Sequence, residues 1–169
     1  MTPRIERATA GHLAEIAALA GVIWRAHYPD IITHEQINYM LARSYDVEVL
    51  RRELDNGGAW FRALVHGELR GFASVGPTEN AVEFKLHKLY VHPDSQRLGL
   101  GSVLLKECES TARNCGATTL MLNVNKRNEP AIAAYLKRGF TIRDSVVADI
   151  GGGFVMDDFV MAKSLLLCS

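Results

Sequence analysis

The sequence predicts an α/β layer structure in which helices flank a mixed, mostly antiparallel central sheet. Three observations carry that reading. Helical patterns after the first short strand give way to three consecutive strand patterns joined by tight turns. The third of those strands leads through a glycine loop into a helix, and the chain then closes with a strand, a helix and two long strands. Strands interleaved with amphipathic helices bury their apolar faces by stacking in layers around one sheet. No repeat, linker or low-complexity run divides the 169 residues, so one domain over 1–169 is expected.

Thr2 to Arg7 sets Ile5 among charges, as in a short edge strand. From His12 to His27, Leu13, Ile16, Ala17, Ala20, Ile23 and Trp24 recur at helical spacing with one buried face. Tyr28-Pro29-Asp30 ends that helix. Thr33 to Arg43 begins with a capping-box pair, Thr33 and Gln36, and Asp46 to Asp55 is a third helix stopped by Asn56-Gly57-Gly58. Ala59 to Val65 and Leu69 to Gly76 form a hairpin across His66-Gly67-Glu68.

Ala81 to Val91 is the informative strand. Phe84 and Leu86 share one parity, whereas Leu89 and Val91 have the other. A strand changes faces only if a residue is inserted, which predicts a β-bulge near His87 or Lys88; burial on both faces is the alternative. Beyond it, Ser102 to Cys115 reads as a helix with Leu104, Leu105, Cys108, Ala112 and Cys115 on its apolar stripe. Thr118 to Val124 is a strand, and Asn128 is an N-cap for a helix from Glu129 to Arg138 with Pro130 in its first turn. Phe140 to Ile150 and Phe154 to Lys163 are strands joined by Gly151-Gly152-Gly153, and Leu165 to Ser169 reads as a frayed tail.

The stretch LYVHPDSQRLGLGS, Leu89 to Ser102, carries the chemistry. His92-Pro93 breaks the strand, and a helix begins just after the glycines. Free N–H groups at a helix start, with the helix dipole behind them, suit an anion, and Gly99 and Gly101 let the backbone approach it. No lysine follows Gly101, so this is no P-loop, and Leu104 stands where a dinucleotide fingerprint needs its third glycine. The remaining pattern, Gln/Arg-x-x-Gly-x-Gly between strand and helix, resembles the acetyl-coenzyme A signature of the GNAT N-acetyltransferase superfamily. NEPAIAAYLKRGF, Asn128 to Phe140, is similar to the second signature of that family.

The resemblance implies a GNAT-type sheet splayed at the strand that binds acetyl-CoA, with acetyl-CoA as co-substrate. Leu89, Tyr90 and Val91 would pair with the pantetheine arm through the backbone. Gln96, Arg97, Leu98, Gly99, Leu100, Gly101 and Ser102 would hold the pyrophosphate, Arg97 either adding charge or remaining a solvated loop residue. Asn128 would cap its helix and touch the cofactor. Tyr135 would be the general acid for the leaving thiolate, and Glu83 or His87 the base that frees the acceptor amine, with direct attack and no covalent enzyme intermediate. A backbone N–H near Tyr90 would meet the developing oxyanion. Trp24, His27, Tyr28 and Tyr39 would line an acceptor pocket, opposite Asp149, Asp157 and Asp158, the alternative being that these aspartates are only turn and edge-strand residues. FVMDDFVM places two carboxylates on opposite faces of an apolar strand, so one must face inward or be paired.

The expected activity is N-acetylation of a primary amine on a small molecule, polyamine or protein. The alternative is a non-catalytic acyl-CoA sensor. Balanced charge, 19 basic against 19 acidic residues, gives no reason to expect nucleic acid or an anionic membrane as partner. No apolar run reaches about 20 residues, and Glu6, His12 and Glu15 interrupt the N-terminal one, so a cytoplasmic location is expected. Cys108 and Cys115 lie about 10 Å apart along one helix, beyond disulfide reach, and read as buried fillers. The six histidines show no paired ligand spacing, so no metal is expected. A homodimer through the last strands is plausible from the resemblance.

Overall fold

The computed structural model describes residues 2–166. Seven strands form one sheet in the order β1-β2-β3-β4-β5-β7-β6. They are β1 (Arg4–Arg7), β2 (Ala59–Val65), β3 (Glu68–Pro77), β4 (Glu83–Val91), β5 (Thr119–Asn125), β6 (Thr141–Gly151) and β7 (Phe154–Ser164). All neighbours are antiparallel except β4 and β5. Helices α1 (Leu13–His27), α2 (His34–Ser44) and α3 (Val47–Asp55) cover one face, and α4 (Leu100–Asn114) and α5 (Glu129–Lys137) pack with the other. This is the mixed, mostly antiparallel architecture expected from the sequence.

Two apolar cores follow from the two layers. Leu104, Leu105 and Cys108 of α4 pack with Phe84, Leu86 and Leu120 of the sheet. Ile16, Ile23 and Trp24 of α1 pack with Trp60 and Phe72 on the opposite face. Each such fully buried side chain contributes about 1.5–3 kcal/mol relative to exposure, which holds the sheet rigid between its helical layers.

The β-bulge is present, and His87 is the inserted residue. Ser74 pairs with Lys88 but Val75 pairs with Leu86, leaving His87 without a partner on β3. The face change follows: Phe84 and Leu86, then Leu89 and Val91, all pack with the α4 side. Tyr90 turns to the α1 side, and Lys88 is buried there in an ion pair with Glu53 at 3.0 Å, over the rings of Tyr45 and Trp60.

The sheet also splays where expected. β4 pairs with β5 only from Glu83 to Lys85, against Thr119 to Met121. Beyond Lys85 the two parallel strands part, and β4 keeps partners on its β3 side alone.

Several local expectations are corrected. Helix α4 starts at Leu100, before the glycine loop is complete, with Gly99 as its left-handed N-cap at φ 76°. Pro93–Leu98 forms a 3-10 helix between strand and cap. Cys115 is exposed beyond the end of α4, whereas Cys108 is buried as expected; the apolar stripe runs out one turn earlier than its spacing suggested. Leu165 is no frayed residue: it is buried, its N–H donates to Thr118 O at 2.8 Å, and its carbonyl accepts from Arg113 Nε at 2.9 Å. Cys168 and the rest of the expected tail, 167–169, lie outside the described residues.

Only half of the Thr33 capping box forms. Thr33 Oγ1 accepts from Gln36 N at 3.1 Å, but the Gln36 amide donates instead to Val155 O at 3.0 Å, tying α2 to the β6–β7 hairpin. Tyr39 does the same, donating to Ile150 O at 2.6 Å.

Candidate active site

The parting of β4 from β5 opens a groove of about 410 Å³ and, on the α1–α3 side, a cavity of about 220 Å³. Leu89, Tyr90, Asn128, Ala131 and Tyr135 line both. The groove and the cavity therefore meet at the end of β4 and the inward side of α5.

The groove runs from β4 to the start of α4. Of the residues expected to hold the cofactor, it is lined by Leu89, Tyr90, Val91, Gln96, Gly99, Gly101, Ser102, Asn128 and Tyr135. Three others are placed elsewhere. Arg97 and Leu98 are exposed outside it, and the Leu100 side chain is fully buried in the core, leaving only its backbone to serve a ligand. Within α4, the Val103 N–H already reaches Gly99 O at 3.2 Å, so the free amides of the first turn are those of Leu100, Gly101 and Ser102. A Cβ on Gly99 or Gly101 would meet nothing closer than Val91 Cγ2, 3.8 Å from Gly101, so the cradle is open to an anion. Arg138, Pro130, Ala134, Ile23 and His27 also line the groove. Arg138, just past the end of α5, brings a positive charge to the groove.

Asn128 is placed differently from its expected cap. It precedes α5 but makes no side-chain cap hydrogen bond; it is buried, and its Oδ1 lies 3.0 Å from His27 Nε2 on α1. That contact fixes the amide at the junction of groove and cavity.

Tyr135 packs edge-on to Phe140, with ring centroids 5.4 Å apart. Burial pushes its pKa well above the ordinary tyrosine value, so the phenol stays protonated at neutral pH. Across the cavity the hydroxyls of Tyr28 and Tyr90 share a hydrogen bond of 3.1 Å, and burial raises both of their pKa values too.

The two base candidates part company. His87 lines the cavity from the bulge, and partial burial together with the charges of Lys85 and Lys88 lowers its pKa to about 4, leaving the ring neutral at pH 7. Glu83 lines neither space; it is ion-paired with Arg143 of β6 near the base of the sheet.

The expected acceptor residues also sort by position. Trp24 and Tyr28 line the cavity, His27 lines the groove, and Tyr39 packs over the Gly151–Gly153 turn, away from both. Asp149 closes a turn by accepting from Gly151 N at 2.9 Å, and Asp157 pairs with Lys126 at 2.6 Å. Asp158 faces inward and lines the cavity, almost wholly buried at 6% exposure. Of the two carboxylates on this strand, Asp157 is thus the paired one and Asp158 the one that faces inward.

The profile of the Acetyltransferase (GNAT) family matches residues 18–140. The chain belongs to that family. It is 30% identical over 104 residues to the L-amino acid N-acyltransferase MnaT of Escherichia coli, a match spanning 53% of this chain and 60% of that protein. It is 25% identical over 162 residues to the spermidine N(1)-acetyltransferase of Thermoplasma acidophilum, spanning 93% of this chain and 97% of that one. Among solved structures, the PaiA N-acetyltransferase of T. acidophilum in complex with coenzyme A superimposes with a TM-score of 0.83 at 25% identity, covering 97% of this chain and 99% of that one. For a GNAT chain, the splayed β4 and the glycine cradle are the parts that fit coenzyme A: an open row of β4 backbone groups, free helix amides and Arg138.

Proposed function

We propose that this GNAT chain transfers the acetyl group of acetyl-CoA to a primary amine, which attacks the thioester directly. Acetyl-CoA supplies an activated acetyl group as its thioester. The observation that carries the reading is the junction: Tyr90, Asn128 and Tyr135 line both the groove suited to the cofactor and the cavity suited to an acceptor. A binding module without turnover needs the groove but has no use for a second, polar-walled cavity opening onto it.

The residues divide the work by position. The backbone of Leu89, Tyr90 and Val91 receives the pantetheine arm as an added strand, because β5 has left that edge free. The amides of Leu100, Gly101 and Ser102, with Arg138, meet the pyrophosphate. Tyr135 holds a proton on its hydroxyl beside the junction and gives it up as negative charge develops on the departing sulfur.

The test is a thermal-shift titration with acetyl-CoA, CoA, ATP and NAD in parallel, followed by turnover on a panel of amines. A native-state ligand at a hundredfold excess over its Kd raises stability by about 2.7 kcal/mol. A shift with acetyl-CoA and CoA alone, with amine-dependent release of CoA, is the expected result. No shift with either would overturn the assignment of the groove.

A further inference from the structure

We infer that Asp158 is the acceptor site's ammonium anchor and the first recipient of its proton, an assignment that rests on the acetyl-transfer reading above. The acceptor it selects is an aliphatic primary ammonium on an arm slim enough for a cavity of about 220 Å³.

The argument begins with an unmet requirement. Asp158 sits on β7 opposite Asn125 of β5, near the widest part of the split, with 6% of its surface exposed. Its Oδ1 is sealed from solvent with no hydrogen-bond partner, and no ion pair reaches the carboxylate among the described residues. A buried carboxylate left unpaired is costly, and a group of this kind on the wall of a cavity calls for a role such as catalysis or the binding of an ion. Here the missing partner is a donor with positive charge.

The surroundings agree. Trp24, Tyr28 and Tyr90 also line the cavity, beside Lys85 and beside Lys88, which is held by Glu53 over the Tyr45 ring; Trp24 lies 4.2 Å from Tyr28 and 5.9 Å from Tyr90 between ring centroids. Aromatic faces attract a cation within about 6 Å, so rings and carboxylate converge on one ligand chemistry. The charges facing Asp158 come from three elements. Lys85 of β4 and Lys126 of the β5–α5 turn favour its ionised form, whereas Asp157 beside it on β7 disfavours it. Lys126 is engaged by Asp157, and Lys85 makes no ion pair among the described residues. Tyr28, whose raised pKa reflects in part the nearby Asp158, stays neutral. Burial dominates this set and raises the Asp158 pKa, which makes the carboxylate a better proton acceptor than an exposed aspartate.

The step balances. One N–H bond of the ammonium breaks, its proton passes to Asp158, and the electron pair stays on nitrogen. The nitrogen forms a bond to the acyl carbon, the carbon–sulfur bond breaks with its electron pair going to sulfur, and Tyr135 protonates the sulfur. The nitrogen's second proton restores the phenol, and the proton on Asp158 leaves to solvent with the product. His87, at the bulge, is not required as the first base.

The experiment compares the wild-type chain with Asp158→Asn. Propylamine, spermidine and a peptide with a free N-terminus are titrated calorimetrically into each ligand-free protein, with 1-propanol as the uncharged control. The wild type should prefer at least one amine over the alcohol, and the amine that binds identifies the source of the arm. Asp158→Asn should lose that preference at least tenfold while keeping an unchanged acetyl-CoA thermal shift. With a working amine, kcat/KM should fall about a hundredfold or more, and its acid limb should vanish. Equal binding of amine and alcohol by the wild type, or an Asp158→Asn variant with intact amine preference and pH profile, overturns the inference. Failure of acetyl-CoA to shift the wild type would instead strike the acetyl-transfer reading, because the amine titrations need no cofactor.

Discussion

Gly101→Ala separates a ligand cradle from a simple helix turn. Gly101 is the second residue of α4, and a Cβ there would sit 3.8 Å from Val91 Cγ2, an ordinary contact, on the wall of the groove. The fold itself has no objection to alanine. Replacing glycine at a compatible helical position stabilises by about 0.5–1 kcal/mol, through helix propensity and a less flexible unfolded chain. For a chain of this size that raises Tm by about 1–4 °C. The ligand does object if phosphate oxygens approach the Gly101 amide, since the methyl occupies their place. A tenfold weaker Kd reduces the stabilisation at a concentration a hundredfold above the original Kd from about 2.7 to about 1.4 kcal/mol. Differential scanning fluorimetry with and without CoA reads both effects on one sample. Higher Tm without ligand and a roughly halved CoA shift are expected. A full CoA shift in the variant refutes backbone approach at Gly101, and a lower Tm without ligand refutes the open space around it.

Three further outcomes are expected. Tyr135→Phe should lower kcat about a hundredfold or more while the acetyl-CoA Kd stays within about twofold, since only the hydroxyl is removed; single-turnover kinetics beside direct binding would expose a loss of affinity instead. Leu104→Ala removes a fully buried side chain between α4 and β3 and should cost about 2–5 kcal/mol in urea unfolding, a value under 1 kcal/mol meaning that the helix layer is loosely packed. His87 has its pKa depressed from 6.5 to about 4, so between those values the unfolded chain binds a proton that the folded one does not, and stability is lost as pH falls. His87→Asn should flatten that limb in urea midpoints measured from pH 7 to 4, and an unchanged limb would assign it to other groups.

The sequence by itself determined the element order and the glycine turn of the cradle, and it narrowed β4 to a face switch or burial on both faces. These rest on local rules: period-two alternation cannot skip a face without a bulge, and a glycine-rich strand-to-helix turn leaves amides free wherever it occurs. It also required that one of Asp157 and Asp158 face inward or be paired, because the two carboxylates lie on opposite faces of an apolar strand. The sequence did not say which of the two does which. Only the tertiary structure decided that Lys126 takes Asp157 while Asp158 enters the cavity, that Arg138 joins the groove, and that Arg143 takes Glu83 out of reach of it. Leu100 and Asn128 make the same point: one hides its side chain in the core and the other turns from its expected cap to His27 on α1, 101 residues away. Each depends on a partner distant in sequence, and periodicity and caps carry no information about which distant segment arrives. At the split between β4 and β5, residues of both helical layers meet in a common space.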